Sequence, residues 1–228
     1  MRPVERGEAP RVYTDYRDAF GDLSARLGDY CSYCERRMPS SLAIEHIVPK
    51  SRRPELETEW TNFLLSCANC NLTKSNTPVE VEDFLWPYRD NTFLAFVYTE
   101  GGLVRLAQDL SSSQREKAQA LLDLVGLQRH PARGRTNLSR TDYRWQQRDQ
   151  AWKVAELCKE RFITLARSDE AKDLVLIAAQ GQGFFSIWMT VFEDEPEIKK
   201  ALIQLFPGTA PSCFDSDGKA LNRPGGSI

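Results

Sequence analysis

Cys31-Ser-Tyr-Cys34 and Cys67-Ala-Asn-Cys70 form two CxxC pairs on either side of Glu45-His46, which holds the only histidine in the first half of the chain. Four thiolates suit tetrahedral Zn²⁺, and a Cys₄ site without an open position is structural. The alternatives are two unrelated CxxC turns with reduced thiols, or a redox dithiol, although a redox motif needs only one pair. Thirty-two residues separate the pairs, enough for a β-hairpin. The spacing therefore predicts a structural zinc site that encloses Glu45-His46.

The composition is that of a globular protein rather than a secreted or membrane-spanning one. The 228 residues are enough for one large domain or two small ones, and a hydrophobic fraction of 41% is enough for a conventional core. The chain has no run of eighteen apolar residues and no apolar segment after its N-terminal charges, so we expect a cytoplasmic protein without a membrane span. The formal net charge of −2 does not favour nucleic-acid binding, which must then depend on local basic patches.

Hydrophobic spacing divides the chain into three regions and predicts an α+β fold. Residues 1–28 are expected to form a polar arm on the surface and a short helix. Residues 29–78 are expected to form a β-β-α module, which is so small that a bound zinc ion would have to stabilise it. Residues 79–228 are expected to form a β-hairpin and then a mostly helical region that docks a substrate or a partner.

Helix and strand signals place the elements within these regions. Ser113-Gln-Arg-Glu116 is interpreted as a capping box, and Gly126 as the end of the helix that follows it. The aromatic segment Gly183–Phe192 is predicted to belong to the core. In chain order, the predicted elements are a helix over Tyr16–Leu27, strands over Leu42–Ile47 and Trp60–Leu65, a helix from Cys67, strands over Asn91–Tyr98 and Leu103–Leu106, and helices over Ala118–Val125, Ser139–Ala166, Ser168–Ala179 and Glu195–Phe206.

Glu45 and His46 combine two groups that phosphodiester hydrolysis needs. As neighbours on a predicted strand, they leave it on opposite faces. The carboxylate can hold a hard cation, which neutralises charge on the scissile phosphate. The imidazole titrates near neutrality and can accept a proton from water. A Glu-His pair alone is more often an accident of the surface, so the hypothesis of an active site depends on the residues around it.

The residues around this pair resemble those of the zinc-containing HNH endonucleases, whose fold is called ββα-metal. The resemblance covers about residues 29–76 and extends to the HNH domain of the CRISPR RNA-guided nuclease, which lacks the cysteines. The general layout is also similar to the HNH proteins of retron and Septu-type phage-defence systems, in which the nuclease works beside an ATPase partner. Four motifs carry the resemblance: Cys31-x-x-Cys34, Ile44-Glu-His-Ile-Val-Pro-Lys-Ser51, Trp60-x-Asn62-x-Leu64 and Cys67-x-x-Cys70-Asn71-x-x-Lys74.

The resemblance implies a role for each matching residue. His46 would be the general base, and Asn62 would fix the loop between the strands through backbone contacts. Glu45 and Asn71 would be ligands of a divalent catalytic ion, and Lys74 would contact a phosphate. Glu45 stands where aspartate is more usual and Asn71 replaces the final histidine, which makes this an H-N-N variant. Such oxygen ligands favour Mg²⁺ or Mn²⁺ over a catalytic zinc.

Two basic patches are candidates for contacts with the DNA backbone. The first follows His46 and contains Lys50, Arg52 and Arg53. Because three glutamates come next, a solvated loop is the alternative. The second is a stripe at four-residue steps along the predicted long helix, formed by Arg140, Arg144 and Arg148. Such a stripe suits phosphate neutralisation, a solvated face or an acidic partner equally well.

Together these patterns predict a metal-dependent HNH endonuclease that cuts DNA, with structural Zn²⁺ and catalytic Mg²⁺ or Mn²⁺. The alternatives are a non-catalytic zinc module that binds nucleic acid or protein, and an RNA-cleaving HNH effector. The net charge near zero indicates weak intrinsic affinity for DNA, and the resemblance to defence systems implies an ATPase partner that directs the nuclease.

Overall fold

A computed structural model describes residues 1–133 and 142–228 of the chain. No helix in this part of the chain is both long and apolar enough to cross a membrane. The strands are β1 (Leu42–His46), β2 (Phe63–Cys67), β3 (Phe96–Thr99) and β4 (Leu103–Leu106). The helices are α1 (Phe20–Leu27), α2 (Ala68–Lys74), α3 (Thr92–Ala95), α4 (Ser112–Val125), α5 (Arg144–Thr164), α6 (Asp169–Gln182), α7 (Phe185–Val191) and α8 (Pro196–Leu205).

The first hairpin and the helix after it confirm the predicted β-β-α order. β1 pairs with β2 in antiparallel register, so that His46 lies opposite Phe63, and α2 begins immediately after β2. The second strand does not start at Trp60 as expected, because Trp60–Asn62 form a 3₁₀ turn in which the Asn62 carbonyl accepts a hydrogen bond from Ile47 N. The turn leads the chain into β2 and α2, which places the end of β1 beside the helix.

The second hairpin and its neighbours differ from the prediction in two details. The first half of the expected strand over Asn91–Tyr98 is the short helix α3, since the Asn91 side chain accepts a hydrogen bond from Phe93 N and caps a helical turn. The capping box of α4 is formed by Ser111 and Gln114, two residues earlier than expected. Gly126, in the left-handed conformation, ends α4 as predicted.

The C-terminal helices enclose an aromatic core. α7 contains most of the predicted core segment, and its buried side chains include Phe185 and Trp188, which confirms that prediction. α5 packs against both α6 and α7, and α6 packs against α8. The predicted start of the long helix, near Ser139, lies outside the described residues.

The N-terminal segment is only in part the surface arm that its polarity predicts, because residues 7–12 are exposed whereas most of the first six residues are not. Met1, Arg2, Val4 and Arg6 are buried. The Arg2 guanidinium donates hydrogen bonds to the carbonyls of Leu27 and Pro207 at 3.0 and 2.7 Å, so the charged side chain is satisfied inside the protein. Buried side chains from all three predicted regions belong to one hydrophobic cluster. The boundaries after residues 28 and 78 therefore stay predictions.

Candidate metal centre and active site

The four cysteines of the two CxxC pairs converge at the start of α2. Their ligand atoms all lie within 4.8 Å of one another, and all four residues are buried. The Sγ atoms of Cys34 and Cys67 are 3.7 Å apart. Tetrahedral Zn²⁺ with Zn–S bonds of about 2.3 Å requires sulfur atoms separated by about 3.8 Å. The cysteines therefore fit a structural zinc ion.

Arginine side chains offset the negative charge of this thiol cluster. Arg144 Nη1 lies 3.1 Å from Cys70 Sγ and donates to it. Hydrogen bonds from the other three cysteines, followed by the charge of Arg36, lower the pKa of Cys67. A Zn²⁺ ion with four thiolates carries a net negative charge, so both guanidinium groups stabilise the metal-bound form.

The position of Arg144 and Arg148 corrects the prediction of a DNA-binding stripe. Both side chains are inside the protein, with exposed fractions of 2% and 1%. Arg144 pairs with Asp142 at 2.7 Å and donates to the carbonyls of Val125 and Gly126, while Arg148 donates to the carbonyl of Gly102. The four-residue spacing does place them on one face of α5, but that face is turned inward. Arg140 lies outside the described residues.

Glu45 and Lys74 form a buried ion pair between β1 and α2. The Lys74 Nζ atom lies 2.6 Å from Glu45 Oε1 and also donates to the carbonyl of His46 at 2.8 Å. Burial raises the pKa of Glu45, and the charge of Lys74 opposes this effect. Lys74 is 1% exposed, so it holds β1 in place instead of being presented to a phosphate as expected.

The orientation of His46 suits a general base. Its Nε2 atom lies 2.8 Å from the carbonyl oxygen of Glu57. Because a carbonyl can only accept, Nε2 donates in this contact and the lone pair of the neutral ring is on Nδ1. The rings of Tyr16 and Phe63 make edge contacts with the imidazole at centroid distances of 4.9 and 5.3 Å. Burial lowers the pKa of His46, which favours the neutral form.

Asn62 fixes the loop between the two strands. Its Oδ1 atom accepts a hydrogen bond from Val48 N at 2.8 Å. Its Nδ2 atom donates to the carbonyls of Val48 and Leu56 at 3.0 and 3.2 Å. The loop that carries Glu57 is thereby tied to the end of β1, so Asn62 acts on His46 through the backbone. These are backbone contacts of the kind that the resemblance implies.

One open cleft of about 310 Å³ brings the candidate catalytic residues together. Glu45, His46 and Asn71 all line it, with Lys50 at its edge. Of the first basic patch, Lys50 pairs with Glu57 at 2.7 Å, whereas Arg52 and Arg53 are exposed on the following loop. Arg53 pairs with Glu55, so the glutamates neutralise much of this patch.

Two residues that contact His46 escaped the sequence analysis. Tyr16 contacts His46, and the Lys50 ammonium lies over its ring at 4.1 Å from the centroid. Tyr16 lies thirty residues before His46, and no spacing rule connects the two positions. Glu57 acts on His46 through a backbone carbonyl, which any residue type can supply. Residue identity therefore carries no signal for that contact.

Comparison with known proteins agrees with this geometry. Residues 31–77 match the HNH endonuclease family. Septu protein PtuB of Bacillus thuringiensis is 35% identical over 63 residues, a match that covers 26% of this chain and 24% of that protein. The chain thus spans about a quarter of the length of this relative. With the four cysteines, the Glu45-His46 pair and the β-β-α unit all inside the matched segment, residues 31–77 are an HNH endonuclease domain.

Proposed function

We propose that the protein is a divalent-ion-dependent endonuclease that hydrolyses DNA phosphodiester bonds, with His46 as the general base. The observation that carries this proposal is that Glu45, His46 and Asn71 line a single cleft. Within it, the Glu57 carbonyl orients the His46 ring. His46 takes the proton of the attacking water at Nδ1, while Asn62 keeps the loop that carries Glu57 in place.

Two kinds of metal ion fit the donor atoms. Zn²⁺ would be held by the four cysteines and would stabilise the β-β-α unit. Mg²⁺ or Mn²⁺ would be held by Glu45 and Asn71, whose oxygen atoms suit hard cations. Lys74 binds Glu45 Oε1, and Oε2 accepts no hydrogen bond from the described residues, so it is the donor left for the ion. Such an ion supplies neutralisation of charge on the scissile phosphate.

We further propose that the nuclease acts in phage defence in the cytoplasm, beside an ATPase partner. The similarity to Septu protein PtuB supports the defence role. The resemblance to Septu-type systems supports the ATPase partner. The net charge of −2 and the paired cations near the cleft support weak intrinsic DNA affinity, so that recruitment by a partner would be needed for efficient cutting.

Replacement of the general base tests the proposed activity. We expect His46→Ala to lower divalent-ion-dependent cleavage by about 10²–10⁴-fold, because positioned proton transfer contributes that much. Cleavage of supercoiled DNA, single-stranded DNA and RNA would be followed with Mg²⁺ or Mn²⁺, and zinc content and thermal unfolding would be checked. Equal cleavage by His46→Ala and the wild type would show that the assignment of His46 as the general base is wrong. Selective cleavage of RNA would show that the substrate is RNA and not DNA.

The second histidine supplies a matched control. His130 lies outside the HNH domain, where its Nε2 atom contacts the Gly101 carbonyl at 2.8 Å. His130→Ala removes the same side chain without touching the cleft, so its cleavage rate should equal that of the wild type. A purely binding module would show no cleavage with either variant or with the wild type.

A further inference from the structure

A second depression adjoins the catalytic cleft, between α1 and β1. Its volume is about 430 Å³. Three of its residues also line the cleft, so the two depressions lie side by side, and the second is called the groove. The residues that line it are Tyr16, Arg17, Phe20, Ala43, Ile44 and Asn71, of which Tyr16, Ile44 and Asn71 are shared.

The surface of this depression is aromatic and aliphatic. Phe20 begins α1, yet its side chain is not part of the core, because Leu23 and Leu27 supply the buried face of that helix. Phe20 is 39% exposed, and Ala43 and Ile44 of β1 line the depression beside it. A flat aromatic ring beside a row of polar catalytic donors is the surface on which a nucleobase stacks.

Two cations lie beside the groove. The Arg17 side chain is 76% exposed and pairs with Asp15 through Nε and Nη2, while its Nη1 atom donates to none of the described residues. The Lys50 ammonium, on the side of the catalytic cleft, lies 4.1 Å from the centroid of the Tyr16 ring. Because Arg17 pairs with Asp15 and Lys50 pairs with Glu57, these cations would add only modest attraction for the phosphates that flank a base in the groove.

The shape of this site selects an unpaired nucleotide. Inside a duplex, both faces of a base are covered by its neighbours, so only a single-stranded or flipped nucleotide can present a face to Phe20. We propose that the groove between α1 and β1 binds the base of an unpaired nucleotide next to the scissile phosphate, stacked on Phe20. This inference rests on the proposed nuclease function and narrows its substrate to single-stranded or locally melted nucleic acid.

Binding measurements on the full chain test the groove without cleavage. In the His46→Ala background, without added divalent ion, fluorescence anisotropy would give the affinity for a labelled single-stranded DNA, the same sequence as RNA, and the DNA duplex. Loss of one base–aromatic stack is worth about 1–3 kcal/mol, which corresponds to about 5- to 150-fold in affinity. Phe20→Ala should weaken binding of the DNA or the RNA single strand by this factor and leave duplex binding unchanged.

Two further variants separate stacking from simple apolar contact. Phe20→Trp retains an aromatic face and should bind the single strand as the parent does, whereas Phe20→Leu should lose affinity as Phe20→Ala does. Zinc content and thermal unfolding would show whether Phe20→Ala keeps the native fold. If it does not, the comparison of Phe20→Trp with Phe20→Leu still tests the stacking. Tyr143→Ala is the matched control, because Tyr143 is an aromatic residue with 54% exposure at the start of α5, outside the groove.

The outcomes distinguish this inference from the proposed catalytic role. Equal affinity of parent and Phe20→Ala for single strands, equal affinity of Phe20→Leu and Phe20→Trp, or no single-strand binding by the parent would each overturn the groove assignment. The catalytic assignment fails on a different readout, namely cleavage that persists in His46→Ala or is missing in the wild type.

Discussion

At the residue scale, the pair of Lys74 and Glu45 shows how a buried charge fixes the strand that carries the candidate active site. One ammonium group binds the side chain of Glu45 and the backbone carbonyl of His46, so α2 holds two successive residues of β1. Both partners are almost fully buried, with exposed fractions of 1% and 4% for the two side chains. A buried ion pair of this kind stabilises the fold only while both charges are present.

Removal of the lysine charge should therefore destabilise the protein strongly. Lys74→Met keeps the aliphatic stem but leaves the Glu45 carboxylate buried without its partner, and we expect a loss of about 3–5 kcal/mol in the free energy of unfolding. Urea unfolding of Lys74→Met and the wild type would measure this difference in the free energy of unfolding. Lys50→Met is the control, since Lys50 and Glu57 form a pair with side chains 41% and 45% exposed, worth less than about 1 kcal/mol. A similar effect of both variants would contradict the structural role of Lys74.

At the element scale, α5 is joined to the zinc site through Arg144. Its guanidinium donates to the carbonyls of Val125 and Gly126 at the C-terminus of α4, and to Cys70 in α2. Positive charge is favourable at a helix C-terminus, where the carbonyl groups have no partner within the helix. One side chain thus satisfies the end of one helix and offsets the charge of a thiol cluster on another.

The prediction at this scale concerns zinc retention. Arg144→Met should lower the free energy of unfolding by about 3–5 kcal/mol, because Asp142 loses its closest charged partner and keeps, among the described residues, only Arg129 at 3.8 Å, while two buried carbonyl groups each lose a donor. It should also speed zinc release to a chromogenic chelator. Arg161→Met, an exposed arginine on the same helix, should change neither quantity. Normal stability and zinc retention together with weakened DNA binding would instead restore the surface-stripe hypothesis for Arg144.

At the scale of the whole molecule, the first CxxC turn connects distant parts of the chain. Glu35 accepts hydrogen bonds from Arg2 N at 2.8 Å and from Ser186 N and Oγ at 2.7 and 2.6 Å. Gly183, with φ of +75°, approaches the same turn so closely that an added Cβ would lie 2.8 Å from Arg37 N. The zinc-binding turn is therefore packed between the N-terminal segment and the start of α7.

This arrangement predicts that residues 29–78 depend on the rest of the chain. A zinc-loaded fragment of residues 29–78 should be less stable than the same residues in the full chain, because it loses the partners of Glu35 and part of the shared core. Hydrogen exchange of the β2 amides would measure the difference, after zinc content has shown full loading. Equal protection in fragment and full chain would support an independent domain with those boundaries.

Local pattern was enough to predict the zinc site, the β-β-α order and the end of α4. CxxC spacing, alternating apolar residues and a glycine after a helix all act over a few neighbouring residues. The same holds for the burial of α7, whose side chains are aromatic or aliphatic except for Ser186 and Thr190. Of the active site, the sequence placed Glu45, His46 and Asn71 in order, and the structure brings them to one cleft.

The spacing of residues along a helix shows which side chains share a face. It does not show whether that face points to solvent or to the core, or which distant residues pack against it. Arg144 and Arg148 share a face of α5, but the packing of α4 and the zinc site turns that face inward. Lys74, on α2, is buried because it pairs with Glu45 on the adjacent strand β1. Tyr16 contacts His46 only because the chain folds back on itself, and Glu57 contacts His46 through its backbone carbonyl. The sequence therefore does not indicate either contact. Such contacts depend on packing between residues that are far apart in the sequence, and a local sequence pattern does not specify that packing.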